Sequence, residues 1–149
     1  MDKNDKDPAL DSIYAFAVWG NLDRVKDYEL ILLKGHLYLE MILTVVLNRM
    51  NVEEIDNLSF FKKMKELEKL GFSKQNNWKT IIASLNHLNK IRNKLAHDFM
   101  YKSTFEDLTI WSARINENLE GGKFSKYTKR TKIVHAFSTL SKNLLVLTD

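Results

Sequence analysis

Ile81-Ile82-Ala83-Ser84-Leu85-Asn86-His87-Leu88-Asn89-Lys90-Ile91-Arg92-Asn93-Lys94-Leu95-Ala96-His97 is the stretch whose reading decides the fold. Ile81, Leu85, Leu88 and Leu95, with Phe99 just beyond, recur at steps of 4, 3, 7 and 4. That spacing is one face of a helix of 3.6 residues per turn, and it predicts a helix from about Trp78 to Phe99. Position 92 falls on the same apolar face, where the chain places an arginine.

The same period extends in both directions. Upstream, Asp7-Pro8 reads as an N-cap followed by a first-turn proline, opening a short helix from Ala9 to about Trp19 that Gly20-Asn21 closes. A long helix is expected from about Leu22 to Met50, carrying Leu30, Leu33, Leu37, Met41 and Thr44 on neighbouring faces. A third spans roughly Ser59 to Leu70, with Ser59 as its cap and Gly71 as the residue after its end. Residues 71–77 read as a polar loop. Downstream, helices are expected from about Thr104 to Glu120 and from about Thr128 to Leu147. Only 5 Gly and 1 Pro occur in 149 residues, and no segment alternates as a strand would. The expectation is one all-α domain over residues 1–149, with residues 1–7 disordered. It is an antiparallel helical bundle with two long core helices, the second and the fourth, and shorter flanking ones.

Composition removes several function classes. The chain has no cysteine, so it has no disulfide framework, thiolate nucleophile or cysteine-based metal site. The N-terminal residues carry mixed charge and lack the apolar core of a signal peptide. The longest apolar stretches are interrupted by Lys34, His36 and Glu40, short of the ~18 residues needed to span a bilayer, so a cytoplasmic protein with no membrane contact is expected. No Ser-His-Asp, phosphate-loop, dinucleotide or paired-carboxylate pattern is present. Net charge is +4, from 23 Lys+Arg against 19 Asp+Glu, which permits an anionic partner without requiring one.

The chemistry concentrates around Arg92. A guanidinium keeps its proton, so on an apolar face it needs an anion. Asn93 and His97 are one i,i+4 step apart and share a flank, with Arg92 about 100° round the helix from Asn93, so the three polar groups edge one side of the helix end. Read from the residues alone, Arg92 could equally snorkel or pair with a neighbouring acid, and His97 could cap carbonyls at the helix end. Glu40 is the candidate counter-ion for Arg92, because it interrupts the apolar series Leu33, Leu37, Thr44, Leu47. His36 lies one turn before it. Both could instead face solvent or pack on Tyr38, and a metal shared by His36, Glu40 and His97 matches no zinc spacing.

The run Leu88-Asn89-Lys90-Ile91-Arg92-Asn93-Lys94-Leu95-Ala96-His97 resembles the signature of HEPN domains, whose ribonuclease members carry Arg, a polar residue, three further positions and then His at the end of a core helix. Residues 32–40 look like that family's earlier long helix, and Phe60 to Gly71 is similar to the short helix ending in Leu-Gly that often follows. The resemblance spans about Asp27 to Phe99. It implies a metal-independent endoribonuclease with no cofactor, acting as a homodimer whose two Arg-Asn-x3-His ends meet in a composite cleft. Arg92, Asn93 and His97 would be catalytic, with Glu40 and His36 supporting. His97 would accept or return the 2′-hydroxyl proton, an imidazole ordinarily titrating near pH 6.5. Arg92 would stabilise charge on the attacked phosphate and Asn93 would orient the imidazole or the phosphate. The biological setting the resemblance suggests is a toxin or phage-defence effector restrained by an antitoxin, in such families often a small nucleotidyltransferase. The other branch that fits is a non-catalytic dimeric binding or regulatory module, similar to the mannitol operon repressor, or an interaction subunit.

RNA contacts are expected from Lys90, Lys94 and Lys102 near the motif, and from Lys126, Lys129 and Arg130. These last lie in Lys123-Phe124-Ser125-Lys126-Tyr127-Thr128-Lys129-Arg130-Thr131-Lys132, which mixes cations with aromatics. The ordinary alternative is a solvated loop. His87 and His135 read as structural or surface histidines, and Trp78 and Trp111 as core or interface anchors.

Overall fold

The computed structural model describes residues 8–121 and 127–148. Six α-helices account for it: α1 (Pro8–Asp23), α2 (Tyr28–Arg49), α3 (Phe60–Glu68), α4 (Trp78–His97), α5 (Thr104–Asn118) and α6 (Lys129–Leu145). Single 3-10 turns lie at Phe72–Lys74 and Val146–Thr148, and no strand occurs among the described residues. The all-α bundle expected from the periodicity is what the chain forms.

Local chemistry sets the helix ends. Asp27, Ser59 and Thr128 are N-caps whose side chains accept from the backbone N–H of Leu30, Lys62 and Thr131. Gly71 takes φ +85°, the left-handed conformation that glycine adopts without a Cβ penalty. Three boundaries differ from expectation. Helix α1 runs through Gly20-Asn21 to Asp23, because buried Leu22 continues its apolar face and the Asn21 amide donates back to Ala17 O at 2.7 Å. The second helix therefore starts at Tyr28 rather than Leu22. Helix α4 stops at His97, so Phe99 leaves the apolar stripe and stands 90% exposed. The expected Asp7 cap, and the disorder expected of residues 1–7, lie outside the described residues.

The second and fourth helices are the two longest, at 22 and 20 residues, as expected, and the sixth is the one on which several others converge. Helices α1, α2 and α5 all pack on α6. Paired contacts give the directions: Ala15 with Ser138 and Asp23 with Arg130 make α1 antiparallel to α6. Trp111 with Phe137 and Asn116 with Lys132 do the same for α5 and α6. Ser84 with Trp111 and Lys94 with Asp107 make α4 antiparallel to α5. Trp111 is fully buried, donates from Nε1 to Ser84 O at 2.9 Å and lies 4.5 Å from the Phe137 ring, so it is a core anchor.

Helix α2 does reach spanning length and apolarity: it has 22 residues, and an 18-residue stretch within it has a mean hydropathy of 1.8. Its charged interruptions are too few to lower the average, which corrects the expectation that no run qualifies. Half of that stretch is buried inside the bundle, where Ile31, Leu32, Leu39, Ile42, Leu43, Val46 and Leu47 are fully covered, so core packing accounts for its hydropathy. At Gly35 the backbone lies directly against the Phe137 ring, leaving no space for a Cβ.

Candidate active-site cleft

Helices α2, α3 and α4 enclose an open cleft of about 350 Å³. Its walls are His36 and Glu40 from α2, the start of α3 at Ser59, Phe60 and Phe61, and Asn89, Arg92 and Asn93 from α4. The α4 residues arrive together because 89, 92 and 93 are separated by three and four positions, so they fall on one flank. His36 and Glu40 share a face of α2 for the same reason.

His36 is the most constrained of these groups. It is buried, its ring stacks on Phe60 with centroids 4.1 Å apart, and its Nε2 lies 3.1 Å from Asn89 Oδ1. An amide oxygen only accepts, so Nε2–H donates and Nδ1 keeps its lone pair. Burial pushes the His36 pKa below its ordinary 6.5. The Arg92 charge pushes the same way, against the Asn89 hydrogen bond and the Glu40 charge. His36 is therefore a neutral imidazole near pH 7.

Arg92 is half-buried, and its Nη1 donates to Asn93 Oδ1 at 3.4 Å. Among the described residues no carboxylate lies within ion-pair distance of it. The expected Glu40 partnership is not formed: Glu40 Oε1 sits 3.4 Å from Nζ of Lys63, a lysine buried in α3. The reason is proximity of α3, whose residues 60–63 pack beside α2 and bring a cation the sequence pattern had not assigned. Arg92 and Glu40 nevertheless line the same cleft.

The structure brings Arg92, Asn93, Glu40 and His36 together and leaves His97 outside the cleft lining. His97 is the last residue of α4, exposed, and is followed by exposed Phe99 and Met100. Lys90, Lys94 and Lys102 are exposed on and after α4, with Lys94 Nζ 3.9 Å from Asp107 Oδ2. Lys129 is exposed at the start of α6, and Lys126 lies outside the described residues. Arg130 is not free for RNA. Its Nε donates to Val25 O at 3.0 Å, Nη2 donates to Asp23 O and Nη1 is 3.5 Å from Asp23 Oδ1, so it fastens α6 to the α1–α2 junction. His87 is half-buried against α5, and its pKa is lowered by burial and by Arg114. No cluster of His, Cys, Asp or Glu among the described residues could hold a metal ion.

Asn89, Phe60 and Phe61 are cleft residues that sequence reasoning missed, as is Lys63, which pairs with Glu40 behind the lining. Asn89 carried a usable signal, standing three and four residues before Arg92 and Asn93. The α3 residues carried none, since only tertiary packing brings them to α4. An all-helical domain with a polar cleft framed by Arg92 is the class that fold and site define. Compared with models of known protein families, with curated protein sequences and with solved structures, the chain matches none.

Proposed function

We propose that the protein is a metal-independent endoribonuclease of HEPN type, acting in the cytoplasm as a homodimer on single-stranded RNA. The observation that carries this reading is Arg92: a guanidinium in a concave polar cleft, hydrogen-bonded only to its neighbour Asn93, with no carboxylate neutralising it among the described residues. A permanent cation left available in a cleft is a phosphate site waiting for its anion.

In the proposed reaction His97 takes the proton of an RNA 2′-hydroxyl. That oxygen bonds to the adjacent phosphorus, and the P–O5′ bond breaks. The departing 5′-oxygen receives a proton from His97 of a second copy, leaving a 2′,3′-cyclic phosphate and a 5′-hydroxyl. Arg92 balances charge on the non-bridging oxygens, and Asn93 fixes the guanidinium by accepting from Nη1. Exposed Lys90, Lys94 and Lys102 extend the cationic track along the strand. Such an enzyme fits a toxin or phage-defence effector held in check by an antitoxin, one of nucleotidyltransferase type being the expected kind.

The test is cleavage of total RNA in EDTA by the wild type, His97→Ala and Arg92→Ala, with product ends read for 2′,3′-cyclic phosphate. The expected result is cyclic ends from the wild type and a loss of roughly 10²-fold or more in each variant. Undiminished cleavage by His97→Ala overturns the mechanism. A folded wild type that cleaves no RNA favours the dimeric binding module instead.

A further inference from the structure

The cleft holds more chemistry than a phosphate contact uses. Phe60 is its floor, one ring face already covered by His36. Phe61, next to it, is 45% exposed at the rim. Lys65 Nζ sits over one of its faces, 5.2 Å from the ring centroid, and no ring partner covers the other among the described residues. Glu40 lines the same cleft; its Oε1 is shared with Lys63 and its second oxygen has no partner among the described residues. Arg92 completes the enclosure. A volume of about 350 Å³ lies at the lower end for small-ligand pockets, suited to one nucleotide and too small for a duplex.

Which nucleotide follows from hydrogen-bond polarity. A carboxylate only accepts, and it does so through two adjacent oxygens. Of the four RNA bases, guanine alone presents two adjacent N–H donors, N1–H and N2–H, on one edge. Adenine and cytosine pair one amino donor with a ring acceptor, and uracil sets a single N–H between two carbonyls. Each of these three would bring a lone pair against Glu40. We propose that the cleft is a guanine-selective nucleotide subsite, in which Glu40 accepts from N1–H and N2–H, Phe61 stacks on the base and Arg92 holds the attached phosphate. The inference rests on the ribonuclease reading for the ligand being part of an RNA strand. A splayed-out base, stacked on an aromatic ring and read on its Watson–Crick edge, is how single-stranded RNA is ordinarily distinguished.

The experiment is calorimetric titration of the full chain with 5′-GMP, 5′-AMP, 5′-CMP and 5′-UMP, and with short single-stranded RNAs that contain or lack one guanine. The wild type is expected to bind GMP about tenfold tighter than the other three, the discrimination one good bidentate base contact supplies. Glu40→Gln, whose amide places a donor beside an acceptor, is expected to lose that preference while still binding nucleotides. Phe61→Ala, at an exposed position that the fold does not depend on, is expected to weaken all four by a similar factor. Equal affinity for the four nucleotides, no binding of any, or a GMP preference that survives in Glu40→Gln overturns the proposal. A guanine-containing RNA that binds no tighter than GMP assigns the site to a free nucleotide rather than a strand and overturns the part that rests on the ribonuclease reading. Guanine-selective binding without cleavage in EDTA refutes the enzyme and leaves the subsite, whereas cleavage with no base preference does the reverse.

Discussion

Gly35→Ala is a substitution for which helix propensity and packing predict opposite signs. In a helix interior, replacing Gly by Ala gains about 1 kcal/mol from propensity alone. At position 35 the new Cβ would lie 2.7 Å from Phe137 Cδ1 and closer still to Cε1 and Cζ, where carbon pairs are comfortable at about 3.5–4.0 Å. The ring has nowhere to retreat. Phe137 is fully buried and packs on Trp111, which is itself tied to Ser84 O. Overpacking of this kind costs typically about 1–3 kcal/mol, and three collided ring atoms place it at the upper end. Subtracting the propensity gain leaves a net loss of about 2 kcal/mol, or a fall in Tm of about 4–8 °C for a domain of this size. Thermal unfolding followed by circular dichroism measures it. Phe137→Leu removes Cε1 and Cζ, the two nearest colliding atoms, so the double variant should be less destabilised than the sum of the singles by about 1 kcal/mol or more. A Gly35→Ala protein with unchanged or higher Tm, or strict additivity with Phe137→Leu, refutes the argument that close α2–α6 contact is what requires glycine.

The pH dependence of stability reports on His36. Its pKa is depressed in the folded protein by burial and by Arg92, with Asn89 and Glu40 opposing. The unfolded chain therefore takes up a proton that the folded one refuses, and stability falls as pH drops below about 6.5 toward the depressed value. His36→Gln should show a shallower fall in Tm between neutral and mildly acid pH, and an identical slope contradicts the assignment. Arg130→Ala should lower stability by about 1–2 kcal/mol through the lost contacts to Val25 O and Asp23, while Lys129→Ala, exposed beside it, changes Tm little. Asp11→Ala removes the carboxylate paired with Arg49, the two side chains being 11% and 4% exposed, and should lower Tm on the same assay.

What the sequence disclosed and what it hid divide along one physical line. Helix identities were legible because apolar residues repeat at helical spacing, and on α4 Ile81, Leu85 and Leu88 mark the buried face; on α2 the series Leu30, Leu33, Leu37, Met41 proves to be the exposed side, and Leu39, Ile42 and Leu43 the buried one. The central place of α6 was not legible, because its buried face includes Thr139, Ser141 and Asn143. Their polar atoms are satisfied locally or by neighbours: Ser141 donates to Phe137 O, and Asn143 donates to Thr139 O and Glu120 O while accepting from Asn77. Buried polar residues with internal partners look like surface to any pattern of hydrophobicity. The cleft was half legible for the same reason. Arg92, Asn93, Glu40 and His36 stood out as polar groups beside apolar stripes, but the partner each takes depends on α3. Lys63 claims Glu40, and Phe60 covers His36, contacts that no spacing along the chain encodes.

Arg92 and His97 sit five residues apart on α4, yet in different surroundings, and the proposed reaction needs both at one phosphate. Five residues advance the helix by about 7.5 Å along its axis. A phosphate drawn into the cleft by Arg92 is thus displaced from the imidazole of the same chain toward the body of the bundle. A second copy placed against the end of α4 would supply the missing proximity, and the surface there suits association: Phe99 and Met100, directly after His97, are 90% and 66% exposed. Phe99→Asp puts a charge on that surface without touching the core. If the homodimer forms here, light scattering should show the variant as a monomer and RNA cleavage should be lost with it, while GMP binding in the cleft persists. A Phe99→Asp protein that remains dimeric removes this loop from the interface, and a monomer that still cleaves at the wild-type rate shows that one chain's Arg92 and His97 reach the same phosphate unaided.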